Sequence, residues 1–457
     1  MFNQNSLKDF ACTDPDSATL LGAPLSTGAA LDQALNSRAE ELDRALGRLA
    51  IIARQDALLI LRHSQGTPKL IHTLRCTPCA NHTQLTTYDE TMRKGLQNIL
   101  NISFTDTQWL QATLPIRLGG LGIRRAESLA IPAFIASAAF TSEIQSNILG
   151  ALIIQPDPHY SNLSEHWQAL TELSLADHFP TNSQAKLDAP LLQKEHSILL
   201  QSSTEPSELA RLKAVSFQHA GDWLNCLPIT SCGLRLSDEA IRVAVGLRLG
   251  ANLCQPHTCA CGALVTAKGT HGLSCALAFG RSARHASIND IIHHSLNKAG
   301  FPAIKEPQGM LRSDGRRPDG TTLIPWRAGR NLVWDATVID TIAPSYLQAT
   351  AATAGAAAEI ADVRKTKKYQ DLLKTHHFIP LAMETLGPIN ETGITFVEDI
   401  GRLLTQATDE ARETSFIFQR LSVTIQRFNA VAFAGTFTAP LSELEQRLFD
   451  RRLHHFR

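Results

Sequence analysis

The sequence predicts an α+β protein with a mainly helical N-terminal half, a small cysteine-rich knuckle, and then an α/β unit on a mixed sheet. Three observations predict it. Leu31, Leu35, Leu42, Leu46, Leu49 and Ile52 recur at helical spacing within residues 28–63, with charged residues between them. Cysteines and a histidine cluster between positions 259 and 275. The segments after that cluster alternate as helix, three short strands, helix and strand, the order of an α/β layer.

A chain of 457 residues exceeds one ordinary core and predicts two or three domains. Its 44% hydrophobic and 19% charged residues exclude a disordered chain. Lys plus Arg and Asp plus Glu each total 43, so any nucleic-acid surface must be local; residues 301–380 hold eleven basic against eight acidic side chains. Met1–Ser17 is polar and lacks the apolar core of a signal peptide, and no run reaches the ~20 apolar residues that span a bilayer. An intracellular, nuclear protein without a membrane partner is expected. Nine cysteines, four of them clustered, suit a reducing compartment and a metal site. Cys76-Thr77-Pro78-Cys79 has no second pair and no strand-to-helix context for redox chemistry. Cys226 and Cys232 read as small core residues.

Taken in order, residues 1–145 form a helical region. Ser64–Thr67 and Pro68 break the first helical stretch, and Tyr88–Leu100 reads as a second helix. Three glycines in the block Leu114–Arg124 predict a tight, closely packed turn before an apolar helix, Leu129–Phe140, that is too short to cross a membrane. Residues 146–250 alternate helical patches with Pro- and Ser-rich breaks and read as a helical linker. Within it Ser237-Asp238-Glu239 opens a helix over Ala240–Leu249 that Gly250 ends.

Residues 251–280 form the knuckle. Cys259, Cys261, His271 and Cys275 are soft or borderline ligands from one short loop, which suits a closed, structural tetrahedral Zn2+ site. Gly262 and Gly272 are read as giving the backbone the freedom such a loop needs. Cys254 and His257 remain alternative ligands.

Residues 281–400 form the α/β core. The helix Ser282–Ala299 carries Ile288, Ile291, Ile292 and Leu296 on its apolar side, and Gly300 stops it. Pro302–Pro307 is extended. Strands Asp319–Trp326 and Leu332–Ile339 make a hairpin around Arg327–Asn331. A helix over Ala349–Lys374 and a strand over His377–Thr385 follow. Residues 401–457 close the chain, where amphipathic helices Val397–Leu404 (begun within the core) and Ser415–Val431 lead to a basic tail, Arg451–Arg457.

The chemistry concentrates in that core. Hydrolysis of a phosphodiester needs oxygen ligands for Mg2+, and Asp319 and Asp335 stand on adjacent strands. Simple hairpin counting sets Asp335 opposite Thr322, three residues from Asp319, so a bulge is required, with Gly320 its expected place. A lysine is expected near the metal. At 100° per residue, Lys365, Lys368, Tyr369 and Leu372 share a face with Ala358 and Ala361, whereas Lys367 points outward with Val363 toward a pairing with Asp371. Lys365 and Lys368 are both candidates for catalysis. Glu306 serves either as a third metal ligand or as a salt-bridge partner at a strand end.

Arg284-His285, Glu306-Pro307, Arg317-Pro318-Asp319-Gly320, Trp334-Asp335-Ala336-Thr337 and the Lys-Tyr helix together resemble the restriction-like endonuclease of site-specific non-LTR retrotransposons. The knuckle is similar to theirs. Leu20–Leu25 and the Leu114–Arg124 block resemble the reverse-transcriptase thumb region, and the resemblance spans residues 20–430. It implies a PD-(D/E)xK-type fold that nicks target DNA with Mg2+, Asp319 and Asp335 as the metal-binding acids, and Lys365 or Lys368 as a displaced lysine. Thr337 occupies the place, two residues after the second acid, where most such nucleases carry it. DNA is the implied partner, together with retrotransposon RNA. Arg284, His285, Arg316, Arg317 and Tyr369 are candidate DNA contacts. No Tyr-x-Asp-Asp or Ala-Asp-Asp element occurs, so the polymerase palm is missing and no polymerase activity is expected. The knuckle opens Cys-x-Cys rather than Cys-x-x-Cys, and fifteen residues separate the two aspartates, slightly more than usual. The alternative is a zinc-knuckle nucleic-acid-binding remnant without cleavage.

Overall fold

The computed structural model describes residues 14–149, 157–175, 182–310 and 317–437. They form a mainly helical chain with a small mixed four-stranded sheet in the C-terminal half. Arg316 and the basic tail Arg451–Arg457 lie outside the described residues. The chain divides into two units, Met1–Pro115 with Gly120–Ser202, and Ile116–Gly119 with Ser203–Arg457.

In the first unit a short β1–β2 ladder (Thr19–Leu20, Ala23–Pro24) precedes helices α1 (Ala29–Leu49), α2 (Arg54–Ile60), α3 (Ile71–Cys76), α4 (Thr83–Leu100), α5 (Asp106–Thr113), α6 (Ala126–Leu149), α7 (Pro158–Thr171) and α8 (Gln184–Ser202). α1 buries Leu31, Leu35, Leu42, Leu46 and Leu49, and packs on α4, where Gly95 leaves room for Leu46. The single helical stretch expected over 28–63 breaks after Leu49. Ala53 is extended (ψ 133), so Ile52 leaves the apolar stripe and is 40% exposed. α4 begins five residues before Tyr88 because the His82 side chain accepts the Gln84 N–H and caps it. At the glycine block, a Cβ on Gly120 would collide with the Leu114 carbonyl. The buried Asp89 carboxylate accepts the N–H groups of Ala126 (2.7 Å) and Glu127 (3.1 Å) and opens α6.

The stretch read as a linker divides between the units. α7 and α8 stay in the first, around the fully buried Trp167. Helices α9 (Pro206–Val215), α10 (Asp222–Asn225) and α11 (Asp238–Leu249) lie in the second. Ser237 caps α11 by accepting from Ala240 N–H (3.2 Å), and Gly250 ends it at φ +66.

The rest of the second unit holds the ladder β3–β4 (His257–Thr258, Leu264–Val265), α12 (Arg281–Lys298) and four strands, β5 (Ala303–Lys305), β6 (Gly320–Arg327), β7 (Arg330–Ile339) and β8 (His377–Glu384). The strands lie side by side in chain order; β5–β6 and β6–β7 are antiparallel and β7–β8 parallel. Helices α13 (Leu347–Ala352), α14 (Ala356–Lys368), α15 (Glu391–Thr408) and α16 (Glu413–Ala434) complete it. The one helix expected over Ala349–Lys374 is two. Thr353 is extended and Gly355 sits at φ +79, so the chain turns between α13 and α14. α14 then stops at Lys368.

Alternation along β7 sorts the core from the site. Leu332, Trp334 and Ala336 join Ile288, Ile291 and Ile292 of α12, Phe396 and Ile400 of α15, and Phe418 and Leu421 of α16. Each large side chain so buried stabilises the fold by roughly 1.5–3 kcal/mol. Val333 belongs to a separate cluster with Tyr369 and Phe378, and Ile339 packs with Ala358, Ala361 and Ala382. The small alanines let α14 lie close on β8, on the face to which Asp335 belongs.

Candidate active site

The knuckle brings its ligands together as read. Cys259, Cys261, His271 and Cys275 place their ligand atoms within 4.8 Å of one another, an arrangement that can hold a metal such as Zn2+. The Cys259 and Cys275 sulfurs lie 3.8 Å apart. A tetrahedron with zinc–sulfur bonds of about 2.3 Å has edges of about 3.8 Å. Gly262, at φ +87, turns the loop directly after the second cysteine, its N–H donating back to Cys259 O (2.8 Å). Gly272 has a different role from the one expected. A Cβ there would meet the Ala432 carbonyl oxygen at 2.7 Å, so the residue permits close packing on α16. The two alternative ligands are engaged elsewhere. Cys254 directs its sulfur at the carbonyls of Thr266 and Ala267 (3.6 and 3.7 Å), and His257 bonds Thr436 Oγ1 (3.0 Å) and stacks on Phe437.

Forty-four residues beyond Cys275, the two aspartates stand beside each other. Gly320 pairs with Trp334, and Asp319 N–H donates to Trp334 O (3.0 Å), which places Asp319 alongside Asp335. The three residues that hairpin counting leaves over are absorbed in two irregularities, between Thr321 and Pro325 and between Pro325 and Arg327. Pro325 has no N–H to give to the ladder, so the register slips there. Gly320 is therefore not the bulge. It lies under the fully buried Trp334 indole, where a Cβ would collide. The turn is also tighter than expected, with Ala328 (φ +47) and Gly329 (φ +74) between Arg327 and Arg330.

Both carboxylates are held by the protein. Asp319 Oδ2 accepts from Ala336 N–H (2.6 Å) and pairs with His285 Nε2 (3.0 Å). Asp335, with its side chain 5% exposed, pairs through Oδ2 with Lys365 Nζ and accepts at Oδ1 from the Tyr369 hydroxyl (3.2 Å). Burial lifts the Asp335 carboxyl above the usual range, and Asp319 adds to the rise while Lys365 opposes it. The hydrogen bond to Asp319 raises the His285 imidazole. Lys368 Nζ donates to the Tyr369 hydroxyl (2.8 Å). Lys367 is exposed, and Asp371 pairs with Lys374 (3.6 Å) instead of with it.

A cleft of about 750 Å³ opens beside Asp319, lined by Arg281, Ser282, His285, Asn289, Lys305 and Glu306 among others. Glu306, at φ +50, pairs with Arg317 and donates its N–H to Asp319 O (2.8 Å). Its carboxylate thus serves as the salt-bridge partner. Among the described residues, Asp319, Asp335 and Glu306 do not gather into a three-ligand set. Arg284 does not line the cleft. It is 7% exposed, and burial pushes its guanidinium down to about 10, with Asp340 the favourable charge near it. Tyr369 is buried at 1% exposure and likewise lies away from the cleft lining. Arg281, Lys305 and Asn289 were missed in the sequence; Arg281 sits one turn before His285 on the same helix face, which was the signal available.

No protein-family model matches the chain, and no curated protein matches it. No described helix is long and apolar enough to cross a membrane.

Proposed function

We propose that the chain contains a Mg2+-dependent DNA endonuclease module of the PD-(D/E)xK type, related to non-LTR retrotransposon proteins, with residues 281–400 as its core. One observation carries the reading. Asp319, directly before β6, stands alongside Asp335 of β7, with Lys365 on Asp335, beside a cleft rimmed by Arg281, His285 and Lys305. Two buried carboxylates side by side repel each other, and that repulsion favours a cation between or beside them. Asp319 and Asp335 would hold Mg2+, which supplies Lewis-acid activation of water and stabilises charge on the phosphorane.

The chain's own residues supply the rest. Lys365 neutralises the Asp335 side of the site and offers a donor to the nucleophile or the scissile phosphate. His285 holds Asp319 and can carry a proton at Nε2. Arg281 and Lys305 receive the DNA backbone. Cys259, Cys261, His271 and Cys275 would hold Zn2+, which would steady the loop that leads into α12, where Arg281 Nη2 donates to Ser274 O (3.1 Å), next to Cys275. Retrotransposon RNA is a second nucleic-acid partner under this reading, and no polymerase chemistry is included.

The engagement of both carboxylates with His285 and Lys365, and the diversion of Glu306 to Arg317, favour a second reading: a nucleic-acid-binding remnant without cleavage. Incubating supercoiled plasmid with Mg2+ separates them. Nicking by wild type that is lost in Asp319→Ala and Asp335→Ala supports the nuclease. DNA binding without nicking supports the remnant.

A further inference from the structure

We propose that Tyr369 is a positioning residue that orients Asp335 and Lys368 for a divalent cation, rather than a contact for DNA. The proposal rests on the nuclease reading and concerns the residues behind the metal ligands. Tyr369 is fully buried, with its ring against Val333 and Phe378 (ring centroids 4.9 Å apart) and Met310 and Leu372 beside them. Its hydroxyl is the part that faces the acids.

That hydroxyl accepts from Lys368 Nζ (2.8 Å) and has two acceptors in reach, Asp335 Oδ1 (3.2 Å) and Arg317 O (3.1 Å). A phenol has one proton, so it serves one acceptor at a time. Without a cation it can steady the carboxylate. Were the Asp335 carboxylate to hold a cation, the hydroxyl could turn its proton to the Arg317 carbonyl while the ring stays in place. Arg317 lies two residues before Asp319, so one oxygen ties the backbone ahead of the first acid to the side chain of the second. Lys368 also lies over the ring, 4.3 Å from its centre. The two lysines therefore divide their work: Lys365 acts on Asp335 directly, and Lys368 acts through Tyr369. Outer-shell partners of this kind fix the orientation of ligating carboxylates, and their loss typically costs roughly ten- to a hundredfold in metal affinity.

The test is Mn2+ binding to the zinc-loaded full chain, read by electron paramagnetic resonance, in wild type, Tyr369→Phe, Phe378→Leu and Asp335→Ala. Tyr369→Phe keeps the ring and removes the oxygen. It is expected to weaken Mn2+ binding roughly ten- to a hundredfold and to raise the Mg2+ needed for nicking by the same factor, with DNA affinity unchanged. Phe378→Leu disturbs the same packing without touching the hydroxyl, and is expected to lower the melting temperature while Mn2+ binding holds. Wild-type Mn2+ affinity in Tyr369→Phe, or lost DNA affinity at unchanged Mn2+ binding, overturns the proposal. If Asp335→Ala still abolishes Mn2+ binding in that case, the nuclease reading survives. If wild type binds no Mn2+ that Asp335→Ala removes, both fail.

Discussion

Replacing either member of the Asp335–Lys365 pair removes the same contact, yet the two substitutions should differ sharply in stability. The Asp335 side chain is 5% exposed and the Lys365 side chain 24%. Lys365→Met leaves a buried carboxylate beside Asp319, with the Tyr369 hydroxyl still donating to it and Lys368 the nearby positive charge. Breaking a fully buried pair this way costs about 3–5 kcal/mol. The partial exposure of Lys365, and the ability of Asp335 to take up a proton, reduce this to about 1–3 kcal/mol. Asp335→Asn instead leaves an ammonium that can reach water and removes the repulsion with Asp319, so it should cost less than about 1 kcal/mol. At about 2–4 °C per kcal/mol, Lys365→Met should lower the second unit's melting temperature by roughly 2–12 °C and Asp335→Asn by less than about 4 °C.

The pH dependence has a definite sign. The Asp335 carboxyl is raised above its ordinary 3.8. A raised acid favours the folded state below the unfolded pKa, and that contribution is lost as pH rises through the folded value. The melting temperature of Asp335→Asn should therefore gain on wild type from about pH 4 upward and level off above the folded pKa. Calorimetric melts between about pH 4 and pH 8 provide the assay. A Lys365→Met as stable as wild type, or an Asp335→Asn that loses ground as pH rises, would show that Asp335 is not a buried carboxylate held by Lys365.

Three further outcomes follow from the geometry. Elemental analysis should find about one zinc per chain, lost in Cys275→Ser and retained in Cys254→Ser and His257→Ala; loss in either of the latter would redraw the ligand set. Gly320→Ala should destabilise the second unit by about 1–3 kcal/mol through collision with Trp334, measured as a lower denaturant midpoint, and a wild-type midpoint would contradict the packing. Arg281→Ala should weaken DNA binding and reduce the slope of log affinity against log salt by about 1, whereas Arg284→Ala should lower stability and leave that slope unchanged.

Periodicity made much of this legible in the sequence. The 100° step along α14 put Lys365 and Lys368 on the face of Ala358 and Ala361, and both lysines do reach the Asp335–Tyr369 side of the sheet. The Ser237 cap and the Gly250 stop of α11 were equally readable, because one side chain and one φ angle decide each. What failed was whatever depends on partners distant in the chain. The β6–β7 register turned on Pro325 as a missing donor, and hairpin counting has no term for that. Arg284 and His285 are adjacent in sequence, but successive helix positions face different ways, and burial against the core claimed the first. Tyr369 read as a candidate DNA contact because the Val333–Phe378 pocket that encloses it comes from two strands, β7 and β8.

The nuclease assignment is tested most directly by the rate at which wild type, Lys365→Ala and Lys367→Ala convert supercoiled plasmid to open circle in Mg2+. Wild type should nick in a Mg2+-dependent way, Lys365→Ala should lose roughly a hundredfold or more in rate, and Lys367→Ala, whose side chain is exposed, should keep a near-wild-type rate. No nicking by wild type, or equal rates in wild type and Lys365→Ala, would contradict that assignment.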